Sequence, residues 1–538
     1  MRRTVIALGW LLCPASLFAA PVPAGHPAVA APVSEADVQS AAREYRQNLS
    51  QVFDYVERLY VRPVNRADLA VSALTGLYEA AQVPVPAGLK AEVKKAEGAA
   101  LDALLVKARA NLGNPDALRG QRALIASCRA VMRSLDPFCA VVTGEEAATA
   151  TGFDQNFGLG IDLVDKSGTG PVVIKAVVPG GPAQRAGLQA GDHITRVDDK
   201  ETGGLSTEQA LRLLNGGSTE VASNMPPPPP GVGRVVIGDP ESLVPTPVRL
   251  TVRSAGAKEA RKVTVLRDRF EPETVQGVTR AEDNSWDYWV DRKKGIAQVR
   301  IVALARHTDG ELERVLSRLD GVGLRGLILD LRWCPGGYLS AATGAAELFL
   351  EDGVIAKTVV RNQGPRADAE QVFQAGAGER EKFLRFPIVV LVNADTSGGG
   401  ELIAAALQDH QRGVVVGQRT RGKGSIQTPT LVPLVNEAGQ ITGTLGLKLT
   451  NGTFLRPNGK GLSRFADSKT SDDWGVKPEA NLEFRVSADL GRRLKGWWQE
   501  QSLRPGASNK ALPLDDPEQD PQRQAALKAL LRLVAEKK

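Results

Sequence analysis

Two short apolar runs that end in glycine-rich turns constrain this chain more than any other feature. The first reads Leu327-Ile328-Leu329-Asp330-Leu331-Arg332-Trp333-Cys334-Pro335-Gly336-Gly337, and the second runs from Val389 through Val392, Ser397 and Gly398-Gly399-Gly400 to Glu401. Short continuous apolar runs fit strands covered on both faces. Around them the pattern alternates. Strands are expected at Lys294–Val302, Gly326–Leu331, Pro387–Val392 and Gly413–Val416, and helices at Asp309–Leu319, Ala341–Leu350 and Glu401–Asp409. Such alternation predicts an α/β layer with a largely parallel sheet. Each glycine turn leads into a helix start, where amides lack intrahelical partners and can face a developing oxyanion. The same glycines also suit a tight connection with no chemistry, and the local pattern does not choose between the two.

At 538 residues the chain is too long for one core, so three or more domains are expected. Residues 1–30 read as a signal peptide. Arg2 and Arg3 precede an apolar stretch from Thr4 to Ala20, and Ala28-Val29-Ala30 offers a cleavage site. Cys13 follows Leu11-Leu12 where a lipidation site needs small residues, which argues against a lipid anchor. No later stretch reaches the length of a membrane span, so the mature protein is expected to be exported, periplasmic or extracellular, with no stable membrane span.

Residues 31–150 form a helical N-terminal region that ends at the break Leu135-Asp136-Pro137. From residue 151 to 272 short β-rich runs take over, with a Pro-rich insertion at about 216–245 that cannot enter a sheet or helix interior. Residues 273–484 hold the α/β pattern, and 485–538 read as a charged helical tail. The net charge of +6 is scattered, without the clustered stripe and stacking aromatics of a nucleic-acid surface. Cys128, Cys139 and Cys334 remain after signal removal. They match no zinc spacing or disulfide scaffold, although Cys128 and Cys139 could pair in an oxidising compartment.

A third segment, Gly417-Gln418-Arg419-Thr420-Arg421-Gly422-Lys423-Gly424-Ser425-Ile426-Gln427, has nearly the spacing of a phosphate-binding loop. Gly424 stands where that loop needs a Ser or Thr, so the phosphate reading fails. A lysine between two glycines on a turn can instead be buried, and burial disfavours its ammonium form. A neutral lysine can take the proton of a serine hydroxyl in place of histidine. Only His26, His193, His307 and His410 occur, none in a motif typical of a triad.

Within 151–272, Gly158-Leu159-Gly160-Ile161 precedes GGPAQRAGLQAGDHI and resembles a PDZ domain, whose loop amides hold a ligand's terminal carboxylate. The order of Leu135-Asp136-Pro137, the PDZ-like segment, the Leu327–Gly337 run, Asn393 to Glu401 with Gln408-Asp409, and Val416 to Gln427 resembles the carboxyl-terminal processing peptidases. That resemblance implies a multidomain α+β protein: a helical N-terminal region, a PDZ β-domain and an α/β peptidase core. It implies a serine endopeptidase forming an acyl-enzyme, with Lys423 as base, Gln427 orienting it, and no metal or organic cofactor. The oxyanion amides would come from Gly336, Gly337 and Gly398, and Gly158, Leu159, Gly160 and Ile161 would bind the peptide. Partners would be protein or peptide substrates with apolar C-termini, and a homo-oligomer is compatible with the chain. One position departs from the family: its nucleophile lies three residues before the glutamate, and here that residue is Gly398. Ser397 becomes the candidate nucleophile if the triple glycine reseats the turn by one residue. The alternative is an inactive relative that binds C-terminal peptides as a scaffold.

Overall fold

The computed structural model describes residues 34–142, 156–164, 170–215, 245–281, 285–361, 369–376, 382–465, 467–503 and 519–537. The expected signal peptide and nearly all of the Pro-rich insertion lie outside them.

Helix α1 (Glu35–Leu59) begins with a capping box in which Ser34 and Asp37 satisfy each other's backbone amides. It buries Leu49, Val52, Phe53 and Val56 against α2 (Arg66–Ala80), α3 (Leu89–Lys95), α4 (Gly98–Asn111) and α5 (Arg122–Leu135). At the predicted break, the Asp136 carboxylate accepts the N–H groups of Phe138 and Cys139 at 2.7 and 3.0 Å. The chain then enters β1 (Ala140–Val142), which pairs antiparallel with Gly446–Lys448. The helical region is therefore joined to the distant end of the core, and Val432, Leu434, Leu445, Leu447 and Leu449 sit in its hydrophobic cluster.

The PDZ-like segment forms its own sheet in the order β2 (Asn156–Gly158), β8 (Arg261–Phe270), β7 (Thr246–Arg253), β5 (His193–Val197), β4 (Val172–Val177), β3 (Ile161–Leu163), with the short β6 (Lys200–Glu201) beside β5. Helix α6 (Pro182–Arg185) and α7 (Thr207–Leu214) complete it. Leu159, Leu163, Ile174, Ile194, Leu211 and Leu214 meet in its core.

After the short strands β9 (Val275–Gln276), β10 (Thr279–Arg280) and β11 (Trp286–Asp287), the core sheet begins with β12 (Trp289–Asp291). It continues through β13 (Ile296–Ile301), α8 (Thr308–Gly321), β14 (Gly326–Asp330), α9 (Leu339–Glu347), β15 (Gly353–Val360), β16 (Ala369–Ala375), β17 (Ile388–Val392), α10 (Gly399–Asp409) and β18 (Gly413–Gly417). Strands β13, β14, β17 and β18 pair parallel in that order, as the alternation predicts; β12 and β9 flank β13 antiparallel. A second, antiparallel sheet joins β1, β15, β16, β19 (Ser425–Val435) and β20 (Ile441–Leu455).

Leu312 and Leu316 of α8, Ala342 of α9 and Ile403 of α10 all share one cluster with Val299, Leu329 and Val390, so the crossovers cover one face of the parallel sheet. The other face carries Ile296, Ile328, Val389, Leu391 and Val416, all fully buried. The residues expected as a charged tail cover it. After α11 (Ala488–Leu503), helix α12 (Pro521–Glu536) sets Ala526 and Leu530 on those side chains. A parallel sheet needs both faces covered, and the sequence supplies the second cover from far downstream.

Polar residues close the upper end of that face. Arg332 donates to Asp330 and, at 2.8 Å, to Asp520; Gln298 links Asp330 to Arg523. Arg300 lies over the Trp498 ring of α11 at 4.0 Å. Burial acts to raise the Asp330 carboxyl, but Arg332 and Arg300 hold it below the ordinary value. Its contribution to stability is present above the unfolded carboxylate range, roughly pH 4, and is lost on acidification through the lower folded value. Replacing Asp520 by Ala leaves Arg332 with one carboxylate, and chemical denaturation is expected to show a loss of about 3–5 kcal/mol.

Cys128, Cys139 and Cys334 are buried and free, so the pairing that the sequence allowed for Cys128 and Cys139 is not made. Cys128 sits in the helical core, while the Cys139 sulfur faces Asp136 and Thr450. Burial pushes all three thiols up to about 12. The folded protein is expected not to react with a disulfide reagent at pH 8, and to expose all three thiols in denaturant.

Candidate active site

The two glycine turns leave the carboxyl ends of neighbouring parallel strands, β14 and β17, where open α/β sheets place their ligands. Asn393 organises both. Its Oδ1 accepts the N–H groups of Trp333, Asp395 and Thr396. Ser397 N–H donates to the Cys334 carbonyl at 2.9 Å and fixes the turns against each other. Their approach explains Gly336: a β-carbon there would lie 2.8 Å from Gly399 N and 2.9 Å from Ser397 O. At Gly337 it would lie 2.0 Å from the Leu304 carbonyl oxygen.

Gly398 caps α10 with φ 57° and ψ −121°, a conformation that side-chain-bearing residues adopt only under strain. A sharp strand-to-helix turn of this kind is how α/β-hydrolases raise a nucleophile above their sheet. A β-carbon on Gly398 would meet only Pro335 O and Gly336 Cα, at 3.6 and 3.7 Å, which is ordinary contact. The seat has room for a side chain and carries none.

The two hydroxyls beside it differ. Thr396 Oγ1 donates to the Leu331 carbonyl and accepts from Asn393 N–H, so it is committed to the turn. Ser397 is 1% exposed, and no hydrogen bond joins its hydroxyl to Lys423.

Glu401 ties the second glycine turn to the lysine loop. Its fully buried carboxylate accepts from Thr420 Oγ1 at 2.6 Å, Gly422 N at 2.6 Å, Lys423 N at 2.7 Å and Gly398 N at 3.0 Å. Burial pushes the carboxyl up, and these four donated bonds oppose the rise. Sequence reading used Glu401 only as a register mark; its reach to Thr420 and Gly422, about twenty residues on, carried no signal of its own. The Gly398 amide, expected at the oxyanion, is engaged by Glu401. Gly399 N, which the sequence reading passed over, is the amide at the seam with Gly336.

Lys423 is mostly buried, and its Nζ lies 5.4 Å from the centre of the Phe138 ring. Burial lowers its pKa first, and Lys448 and Arg421 add to the effect; Glu401 and Asp136 oppose it. Gln427 stands in β19 near the lysine, but its Nε2 donates to Ser425 Oγ at 2.6 Å and Thr450 Oγ1 at 3.2 Å. The structure thus brings Ser397, Gly398, Gly336, Gly337 and the lysine loop together, with Gln427 turned to its own hairpin.

In the PDZ-like unit, the Leu159 and Gly160 carbonyls accept from Ala183 and Val178 at 2.8 and 2.7 Å. Leu159 is buried, and Ile161 begins β3, the last strand of the sheet path. Such an outer strand is where an added peptide strand can pair. Among the described residues no helix is long and apolar enough to cross a membrane.

Replacing Glu401 by Gln would set an amide NH2 against N–H and O–H donors. A loss of about 1–3 kcal/mol per unsatisfied buried donor is expected in thermal or chemical denaturation.

Residues 295–478 match peptidase family S41, and residues 173–222 match the PDZ domain family. The first match contains Gly398, Glu401, Lys423 and Gln427. The chain is 26% identical over 423 residues to the carboxy-terminal-processing protease of Bartonella bacilliformis, covering 76% of this chain and 83% of that one. It is 30% identical over 316 residues to the carboxyl-terminal-processing protease of Synechocystis, covering 58% of this chain and 64% of that one. It is 27% identical over 337 residues to the tail-specific protease of Haemophilus influenzae, covering 61% of this chain and 42% of that one. The chain therefore spans less than two thirds of the length of the latter two relatives.

Proposed function

We propose that this chain, a peptidase family S41 protein with a PDZ domain, is an exported serine endopeptidase that engages protein substrates through an apolar C-terminal segment. The observation that carries the reading is the Glu401 clamp, which holds the Ser397–Gly399 turn and the Lys423 loop on one buried carboxylate. A substrate tail adds to the edge of β3 with its carboxylate on the Gly158–Ile161 loop, and the following segment enters the cleft between the turns. Ser397 attacks the scissile carbonyl, neutral Lys423 takes the hydroxyl proton, and the turn amides stabilise the oxyanion. The amine leaves with a proton returned by Lys423, and water releases the acyl group by the same route. For Ser397 to attack, the turn must reseat by one residue, and Gln427 must swing from Ser425 to the lysine.

A second reading is favoured by one observation: the elbow conformation belongs to Gly398, while Ser397 is buried beside it. In that reading the cleft holds peptides without cleaving them.

The test is to incubate the purified protein with an unfolded protein substrate and a fluorophosphonate probe, beside Ser397→Ala, Lys423→Ala and Gly398→Ser. Turnover by the parent that both alanine variants abolish supports hydrolysis through Ser397. Its rate should rise with pH, with a midpoint below that of an ordinary lysine, about 10.4, because the folded pKa is lowered and the base works as the neutral amine. A silent parent, with probe labelling gained in Gly398→Ser and lost on adding Lys423→Ala, supports the holding function instead.

A further inference from the structure

The turn that ends the helical N-terminal region reaches the lysine of the peptidase-like core. Asp136 is buried and spends Oδ1 on the Phe138 and Cys139 amides. That bend aims the Phe138 ring at Lys423 Nζ, 5.4 Å away. The Cys139 sulfur stands 3.4 Å from Asp136 Oδ2 and 3.6 Å from Thr450 Oγ1, and it accepts the Thr450 N–H at 3.4 Å. Thr450 Oγ1 in turn accepts from Gln427 Nε2 at 3.2 Å. Val61, just past α1, donates its N–H to the Thr450 carbonyl at 2.9 Å. One run of contacts thus joins the helical region to both Lys423 and Gln427.

We infer that Phe138 and Asp136 are positioning residues for Lys423, the ring excluding water from one side of the amine and the carboxylate fixing the ring and charging its surroundings. The charged groups that act on the amine are Arg421 on its own loop, Lys448 on β20, Glu401 on α10 and Asp136 on this turn. Water exclusion by the ring favours the neutral amine, whereas its π face attracts the ammonium. Burial is the largest influence on Lys423, and we take water exclusion as the larger effect of the ring. Asp136 acts in the opposite sense, favouring the charged form. The two residues therefore push the lysine in contrary directions, which a merely structural role for the turn would not do.

The inference rests on Lys423 working as a neutral base, and its test needs no turnover. The full chain is labelled competitively with acetic anhydride at graded pH, and Lys423 is followed by mass spectrometry against an added lysine-peptide standard. In the parent the Lys423 midpoint should lie below that of the standard, about 10.4; equality would overturn the reading of Lys423 as a base. Phe138→Ala should raise the midpoint by about one pH unit, a tenfold loss of neutral amine at fixed pH. Phe138→Leu, which keeps an apolar cover and removes the π face, should leave the midpoint unchanged or lower it. Asp136→Asn should lower it. An unmoved midpoint in Phe138→Ala, a rise in Phe138→Leu, or a rise in Asp136→Asn overturns the inference; the last two are what general loosening would produce.

Discussion

The carboxylate of Glu401 is buried among four donors from two loops, and the geometry of the cleft follows from it. Gly398 N–H belongs to the turn above β17, while Thr420, Gly422 and Lys423 belong to the loop after β18. Without a charge between them, these donors would be left unsatisfied in a dry interior, at a cost the fold could not absorb repeatedly. The glutamate also begins α10, so the helix that carries it is registered against the turn it holds. Position and charge are set by one side chain.

Around that centre the site is assembled from distant parts of the chain. The parallel sheet presents both glycine turns, yet one of its faces is covered by α12 from far downstream, and Asp520 just before that helix reaches Arg332 beside the first turn. On the other side, the helical N-terminal region shares a core with β19 and β20 and brings Phe138 over Lys423. The lysine's environment is thus a tertiary property rather than a property of its loop.

Much of this was legible in the sequence, for identifiable reasons. The runs at Leu327–Leu331 and Val389–Val392 are unbroken because both faces are buried, and that told the sheet's type. Gly336 and Gly337 were readable as an oxyanion turn or a tight connection, and the structure adds what they approach: Gly399 N and the Leu304 carbonyl. Three things were hidden. The charged tail hides Asp520 and Arg523, which answer Arg332 and Gln298, a pairing across nearly two hundred residues or more with no local pattern. The β19–β20 hairpin did not stand out beside the lysine motif at its start. Gly398 was readable as a missing side chain but not as a strained turn, since dihedral angles leave no trace in a glycine.

The closing of the sheet by α12 has a consequence for how the chain acquires its structure. Strands β13 and β14 precede by about two hundred residues the helix that shields Ile296 and Ile328, and α1 lies nearly four hundred residues before β19, whose Val435 pairs with Asn48. Contacts of such range are slow to form, because loop closure must be met before they stabilise anything. A chain emerging from the ribosome therefore cannot complete the core until α12 has been made, while the PDZ-like unit, whose cluster runs from Leu159 to Val265, has its partners much earlier.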